Sequence, residues 1–296
     1  MALLESVPNV SEGCDPAVIE AVAEAFAARG RVLDIHSDPE HHRSVYTIVA
    51  EESELAATLF AGIARAAELI DLREHVGVHP RVGAADVVPI VPLRGSQMGR
   101  AQEVALELGA RVGSELGLPV FLYGASADGV RPAFFRKGGP AELQRRIDRG
   151  DLRPSFGPAT LDPRAGAVLI GARPLLIAFN IELRTGGLED ARAIAAAVRG
   201  SSGGMPGVQA LGLLLPASGV VQVSINVIDT EQAPLADVVA RVRAVAADRG
   251  VEVGRSELVG LLPEGAVADP ALLGLEALTD VHVLERRLAE GTRTED

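Results

Sequence analysis

Apolar positions in the second half of the chain alternate between short continuous runs and helical spacing. Two segments, 188–199 and 235–248, repeat apolar residues every three or four positions, which is typical of an amphipathic helix. Around them lie apolar runs of strand length. These runs are 175–183, 208–215, 220–229 and 258–262. The predicted order, β-α-β-β-α-β, is the split-βαβ or ferredoxin-like arrangement.

The first half of the chain predicts the same order of elements. Its predicted strands are 3–7, 32–36, 45–50 and 87–91. Its predicted helices are 16–28 and 54–70. A helix at 98–116 and a strand at 120–123 follow, and a segment rich in Gly, Pro and Arg at 126–163 joins the halves.

This repeated order predicts the domain organisation. We expect an α+β protein of two ferredoxin-like subdomains, 1–173 and 174–296, with a ligand cleft between them. The two halves do not look alike in sequence, so the duplication rests on the order of elements alone.

The composition excludes several classes of protein. Hydrophobic residues make up 48% of the chain, too many for a disordered protein. The formal net charge is −12, which argues against a protein that coats nucleic acid but permits a local basic pocket for a small anion. The single cysteine, Cys14, excludes an intramolecular disulfide and a multi-thiolate zinc site, and it indicates a reducing compartment.

The hydropathy of the chain predicts neither secretion nor membrane insertion. The first residues lack the basic region and apolar run of a secretory signal. The most apolar later stretch, 208–227, is interrupted by polar and turn-forming residues such as Pro216 and Gln222, so it predicts two strands. We expect a cytoplasmic protein with small-molecule substrates and with no nucleic-acid or membrane partner. Its oligomeric state stays open, a homodimer included.

Five of the six histidines lie between positions 36 and 79, in two clusters. The first cluster, DIHSDPEHHR, spans 34–43, and the second, HVGVHPRVGAAD, spans 75–86. Turn-forming and charged residues surround both clusters. We therefore expect these histidines at loop positions and not in the core.

Metal binding is the first chemistry to test against these clusters. His75 and His79 have the spacing of two ligands on one helix face, but Gly77 and Pro80 argue against a helix there. The first cluster offers further ligand types without a recognised spacing. They are Asp34, His36, Asp38, His41 and His42. We therefore predict no metal site.

Acid–base catalysis by one histidine is the second chemistry. In the string H-P-R-x-G, Pro80 fixes the backbone after His79, and Gly83 permits a tight turn. Arg81 follows at a position suited to a substrate carboxylate. His-Pro pairs also occur at ordinary turns, so the string alone is not specific. No P-loop, nucleophile elbow or dinucleotide fingerprint is present, so nothing predicts a nucleotide cofactor or a serine hydrolase.

Ten strings of the chain occur in the order in which a known family has them. They are ESVPNVSEG (5–13), RSVYT (43–47), LIDLREHVGVHPRVGAAD (69–86), VPLRG (91–95), PVFLYG (119–124), FGP (156–158), GAR (171–173), LIAFNI (176–181), VSINVID (223–229) and SELVGLLP (256–263). On these strings the chain resembles the glutamate formimidoyltransferase family. In animals that activity belongs to the N-terminal part of formimidoyltransferase-cyclodeaminase.

The resemblance implies an activity and a set of site residues. The activity is transfer of the formimidoyl group from N-formimidoyl-L-glutamate to N5 of tetrahydrofolate, the co-substrate, in histidine degradation. The implied catalytic residue is His79, and the family's folate segment aligns with 157–166. The implied folate-binding residues are Gly157, Pro158, Thr160, Pro163 and Gly166. The chain departs from the animal enzyme at Val78, which replaces a glutamate, and at His36 and His42, which replace an acid and an amide.

The implied transfer needs proton movement and charge recognition but no metal. The amine of tetrahydrofolate attacks the formimidoyl carbon and loses a proton, and the departing glutamate nitrogen gains one. A histidine that titrates near neutral pH serves both steps. Carboxylates suited to the cationic centre are Asp34, Asp38 and Asp86. Arginines suited either to the substrate carboxylates or to structural ion pairs are Arg43, Arg81 and Arg94.

Three functions stay open on the sequence. The first is glutamate formimidoyltransferase. The second is a folate one-carbon transferase with another donor, such as N-formylglutamate. The third is a non-catalytic folate-binding protein, which the intact string around His79 disfavours.

Overall fold

The chain forms two compact units that mix helices with sheets. The computed structural model describes residues 2–75, 77, 80–94 and 97–290. The units are Met1–Pro174 and Leu175–Asp296. Both combine helices with largely antiparallel strands, which confirms the predicted α+β class. The division lies one residue from the predicted boundary at 173/174.

The N-terminal unit contains one sheet. Its strands are β1 (Leu3–Ser6), β2 (Asn9–Val10), β3 (Arg31–Asp38), β4 (Arg43–Glu51), β5 (Ala85–Pro92), β6 (Val120–Gly124) and β7 (Val168–Ala172). Its helices are α1 (Pro16–Ala27), α2 (Leu55–Leu69), α3 (Met98–Arg111), α4 (Pro132–Arg136) and α5 (Gly139–Asp148). A π-helical turn, Val112–Leu116, extends α3, so the predicted helix at 98–116 has two parts.

The sheet has a defined strand order, and helices pack on both of its faces. Strand β4 lies between β3 on one side and β1 and β2 on the other, and β5, β7 and β6 follow in that order. The β5–β7 and β7–β6 pairs are parallel, and the others are antiparallel. Phe26 and Leu59, from α1 and α2, pack with Tyr46 on one face. On the other face, Phe121 of β6 packs against Phe135 of α4, with ring centroids 5.1 Å apart.

Segment 126–163 is not the irregular connection that its Gly and Pro content predicted. It contains α4 and α5, and each has a proline in its first turn, where a missing N–H breaks no helical hydrogen bond. These prolines are Pro132 and Pro140. Strand β7 was also not predicted, because its VLIGA run is buried throughout and shows no alternation.

The C-terminal unit repeats the order β-α-β-β-α-β. Its strands are β8 (Ile177–Leu183), β9 (Val208–Leu214), β10 (Val221–Val227) and β11 (Val253–Val259). Its helices are α6 (Leu188–Val198), α7 (Leu235–Asp248), α8 (Pro270–Leu273) and α9 (Leu284–Glu290). The strands pair antiparallel in the order β11-β8-β10-β9. The name ferredoxin-like stays our interpretation of this order in both units, and the cleft between the subdomains stays a prediction.

Residue alternation explains most of the strands in this unit. Ile177, Phe179 and Ile181 of β8 are fully buried in the core, whereas the residues between them lie on the opposite face. The last predicted strand, at 258–262, was misplaced. Strand β11 begins at Val253, because its VGRSELV sequence contains too few apolar residues to mark its start. No helix within the described residues has the length and hydropathy to cross a membrane.

Candidate functional site

The predicted folate segment is joined to the loop that follows His79. Gly83 and Gly166 form a β-bridge. Next to it, the N–H of Ala84 donates to the carbonyl of Ala165 at 2.9 Å. The structure therefore brings together two strings that lie more than seventy residues apart in sequence. His79 itself lies outside the described residues, and its role stays a prediction.

Two glycines allow this close approach. A Cβ on Gly83 would lie 1.9 Å from the carbonyl oxygen of Ala167, and one on Gly166 would lie 2.1 Å from that of Val82. Gly166 also has a φ of +71°, which favours glycine. Any side chain at either position would push the two strings apart.

The predicted folate-binding residues do not all meet at one place. Thr160, Pro163 and Gly166 line an open pocket of about 370 Å³, together with Leu72. Gln144 of α5 also lines it and orders the segment, because its side-chain oxygen accepts the N–H of Leu161 at 2.8 Å. Gly157 and Pro158 are exposed and do not line this pocket.

A cluster of arginines surrounds Asp86 at the start of β5. Asp86 is buried, accepts the N–H of Val82 at 2.8 Å and forms an ion pair with Arg136 of α4. The charges of Arg43 and Arg81 also interact with Asp86. Burial, followed by the charge of Arg136, lowers the pKa of Arg43 to about 9, so this guanidinium stays charged at neutral pH. Of these four described groups, three are arginines and one is a carboxylate, in a protein whose net charge is −12.

Arg81 connects the two histidine clusters. Its guanidinium donates to the carbonyl of His41 at 2.7 Å and to that of His42 at 2.9 Å. It also lies 2.7 Å from the ring nitrogens of His75, whose ring stacks on that of His42 with centroids 3.8 Å apart. Burial, Arg81 and His42 lower the pKa of His75 to about 4, so His75 is neutral at pH 7.

The expectation that these histidines avoid the core is wrong for His41. His41 is 8% exposed, and its ring Nδ1 hydrogen-bonds to the carboxylate of Asp38. Burial raises the pKa of Asp38, but hydrogen bonds from the ring and backbone of His41 outweigh this effect and lower the pKa to about 2. Asp38 therefore orders the turn between β3 and β4, and its predicted role at the cationic centre stays a prediction.

The register of β3 and β4 places Asp34 and Arg43 on one face of the sheet. Asp34 pairs with Thr47, and Asp38 pairs with Arg43, so these side chains point away from α1 and α2. Asp34 is partly buried. Arg94, the remaining predicted carboxylate ligand, is exposed, and the contacts that build the cluster do not include it.

The sequence prediction missed two polar groups near this face. The hydroxyl of Thr47 and the Nε of Arg136 are buried and form no hydrogen bond within the part of the chain that is described. Buried polar atoms without a partner are rare, so these atoms mark a place suited to binding a polar group. Burial raises the pKa of Tyr123 to about 12, against the opposing charges of Arg173 and then Arg136, so its phenol stays protonated. Arg136 gave no signal because α4 was predicted as part of a loop, whereas Thr47 lies in a strand that the sequence predicted.

Stability is expected to depend on pH through His75. Its folded pKa of about 4 lies below the ordinary value of 6.5, so the unfolded chain binds the proton first as the pH falls. The fold therefore loses up to about 3 kcal/mol between pH 6.5 and pH 4. Urea unfolding across this range is expected to show a flatter pH dependence for His75→Asn. An unchanged slope in the variant would exclude His75 as the cause.

Comparison with known proteins identifies the family. A family model described as the N-terminal subdomain of the formiminotransferase domain matches residues 3–173. A second model, described as the formiminotransferase domain, matches residues 178–285. The chain belongs to the formiminotransferase family. This membership confirms the resemblance seen in the sequence.

Individual relatives are also similar to this chain over most of its length. The chain is 40% identical to a glutamate formimidoyltransferase of Thermoplasma acidophilum, over the full length of both proteins. It is 37% identical to that of Streptococcus pyogenes, over 91% of this chain and 92% of the relative. The formimidoyltransferase-cyclodeaminase of Rattus norvegicus is 37% identical over 91% of this chain, which spans 52% of that longer protein.

Proposed function

We propose that this formiminotransferase family member transfers the formimidoyl group of N-formimidoyl-L-glutamate to N5 of tetrahydrofolate, in histidine degradation. The observation that carries the proposal is the family match along both units of the chain. The string H-P-R-x-G retains His79. His79 then removes the proton from the attacking amine and returns it to the departing glutamate nitrogen.

The arginine cluster supports a donor that carries carboxylates. Formimidoylglutamate has two, and guanidinium groups bind carboxylates through paired hydrogen bonds. Arg43 and Arg136 add positive charge beside Asp86, and the Nε of Arg136 has a hydrogen to donate. We place one substrate carboxylate here. Arg81, which already donates to two carbonyls, contributes charge and holds the loop.

Replacing Arg43 tests this carboxylate site. Arg43→Lys keeps the charge but removes the planar pair of donors. Because a hydrogen bond to a charged group is worth about 1.5–3 kcal/mol, we expect the KM for formimidoylglutamate to rise about tenfold or more. The KM for tetrahydrofolate should stay within about twofold. Arg65→Lys, on the outer side of α2, is the matched control. An equal rise in both KM values would contradict a site for the donor.

The folate co-substrate is placed against segment 157–166. Thr160, Pro163 and Gly166 line one pocket there, and the segment is bridged to the loop after His79 through Gly83. Folate bound at this segment would lie beside the loop that follows the proposed general base in sequence. Gly157, Pro158 and Asp34 stay predicted contacts.

Turnover by metal-free protein tests the function directly. We expect chelator-treated protein to form 5-formimidoyltetrahydrofolate at its full rate, because the protonated amidine carbon is already electrophilic and needs no Lewis acid. Loss of activity that one divalent ion restores would contradict the metal-free chemistry. A higher kcat/KM with N-formylglutamate would favour the other donor. Folate binding without turnover of either donor would favour a non-catalytic protein.

The remaining expectations concern the surroundings of the protein. The cytoplasmic location, the lack of nucleic-acid and membrane partners and the homodimer stay predictions from the sequence. Small-molecule substrates follow from the proposed transfer reaction.

A further inference from the structure

Three side chains with metal-ligating atoms meet at the outer end of the β3–β4 turn. Glu12 and Cys14 lie in the loop between β2 and α1, and His42 lies in the turn. Their potential ligand atoms all lie within 4.8 Å of one another. The Oε1 of Glu12 is 3.1 Å from the Nε2 of His42. The group combines a carboxylate, a thiol and an imidazole.

The backbone holds the loop and the turn together. A Cβ on Gly13 would lie 2.2 Å from the carbonyl oxygen of Asp38, so the two segments touch through their main chains. The hydroxyl of Ser44 donates to the carbonyl of Glu12 at 2.6 Å. His42 has a φ of +48°, an uncommon conformation that requires support from its surroundings. These backbone contacts therefore hold the main chain of Glu12 and His42 in fixed positions.

The exposed side chain of Cys14 can move toward a bound ion. In a tetrahedral zinc site, bonds of about 2.0–2.3 Å place the ligand atoms roughly 3.5 Å apart. Because the ligand atoms of the present group all lie within 4.8 Å of one another, no pair has to close by more than about 1.3 Å to reach that spacing. Cys14 is exposed, and its sulfur makes one long contact of 3.7 Å to the carbonyl of Pro39, so rotation of its side chain can bring the thiol inward.

We propose that Glu12, Cys14 and His42 bind a divalent cation of the zinc class. Zinc and its neighbours in the transition series accept this mixture of thiolate, imidazole and carboxylate, whereas magnesium and calcium prefer oxygen alone. Binding forms one metal–sulfur, one metal–nitrogen and one metal–oxygen bond, and the thiol proton passes to solvent. Water completes the coordination. The ion has no part in the proposed transfer chemistry.

Cobalt titration tests the proposal on the full chain. Chelator-treated protein without a histidine tag is titrated with Co²⁺, and the thiolate-to-cobalt charge-transfer band is followed in the near ultraviolet. We expect the band to saturate at one ion per chain and to disappear when Zn²⁺ is added. Because Cys14 is the single cysteine of the chain, the band reports on that residue alone.

Variants distinguish the three-ligand site from a thiol that binds metal by itself. His42→Asn suits the positive φ, because asparagine tolerates it, and is expected to weaken Co²⁺ binding at least about tenfold. Glu12→Gln should weaken it in the same direction. His36→Asn, in the same hairpin, is the matched control and should stay within about twofold. No band in the wild type, or equal affinity in His42→Asn and the wild type, would overturn the proposal.

A fourth variant covers a failure of His42→Asn to fold. Cys14→Ser changes an exposed position, and thermal unfolding in the presence of chelator reports whether its fold is intact. We expect it to lose the band and to lose the increase in Tm that Zn²⁺ gives the wild type. An undiminished Zn²⁺-dependent increase in Tm would place the ion elsewhere and would overturn the proposal.

Discussion

Replacing His79 with alanine is expected to lower turnover by about 10²–10⁴-fold, the usual contribution of a general acid–base group. Tetrahydrofolate binding should stay within a few-fold, because the imidazole acts on the proton and not on the folate. Pro80 and Gly83 follow His79 in sequence, and Gly83 is bridged to the folate segment. Single-turnover kinetics on folate-saturated protein measure the chemical step directly.

The choice of control for His79 depends on the structure. His75 lies four positions earlier, and the sequence predicted it at a loop position outside the core, which would suit a control. His75 is instead partly buried, stacked on His42 and in contact with Arg81, so its replacement would disturb the same loop. His282→Ala, in the C-terminal unit, is a better control. A wild-type rate of transfer in His79→Ala would show that the proposed base is wrong. Lower thermal stability with an unchanged chemical step would assign His79 a structural role.

Replacing Asp86 with asparagine is expected to destabilise the fold by about 3–5 kcal/mol. The carboxylate is 3% exposed and forms an ion pair with Arg136, whose side chain is 14% exposed. Removing one member of such a pair leaves the other charge buried without compensation. Arg43 and Arg81 worsen the effect, because Asp86 offsets their charges as well. Urea unfolding at neutral pH measures the loss.

An exposed ion pair provides the comparison for Asp86. Asp71 binds Arg73 and Arg164, whose side chains are 61% and 50% exposed, and solvent screens such pairs strongly. Asp71→Asn should therefore leave the urea midpoint close to that of the wild type. Equal midpoints for Asp86→Asn and the wild type would mean that solvent or another group already compensates the arginine charges.

Local patterns in the sequence determined most helices and strands. The helices at 16–28, 54–70 and 235–248 were predicted within a few residues of α1, α2 and α7, because one apolar face repeats along each of them. Strand β8 was predicted from its apolar run. The family and the proposed reaction also follow from the sequence, since the strings that carry them are short and continuous.

The tertiary structure alone decided which distant groups meet. Arg136 lies fifty residues from Asp86, in a segment whose glycines and prolines predicted a loop, and no periodicity links the two. The bridge between Gly83 and Gly166 depends on β7 beside β5, a strand without alternation. The burial of His41 and the low pKa of His75 arise from packing between a turn and a separate loop. Periodicity reports the environment of one element, whereas charge compensation and desolvation depend on neighbours that only the folded chain brings together.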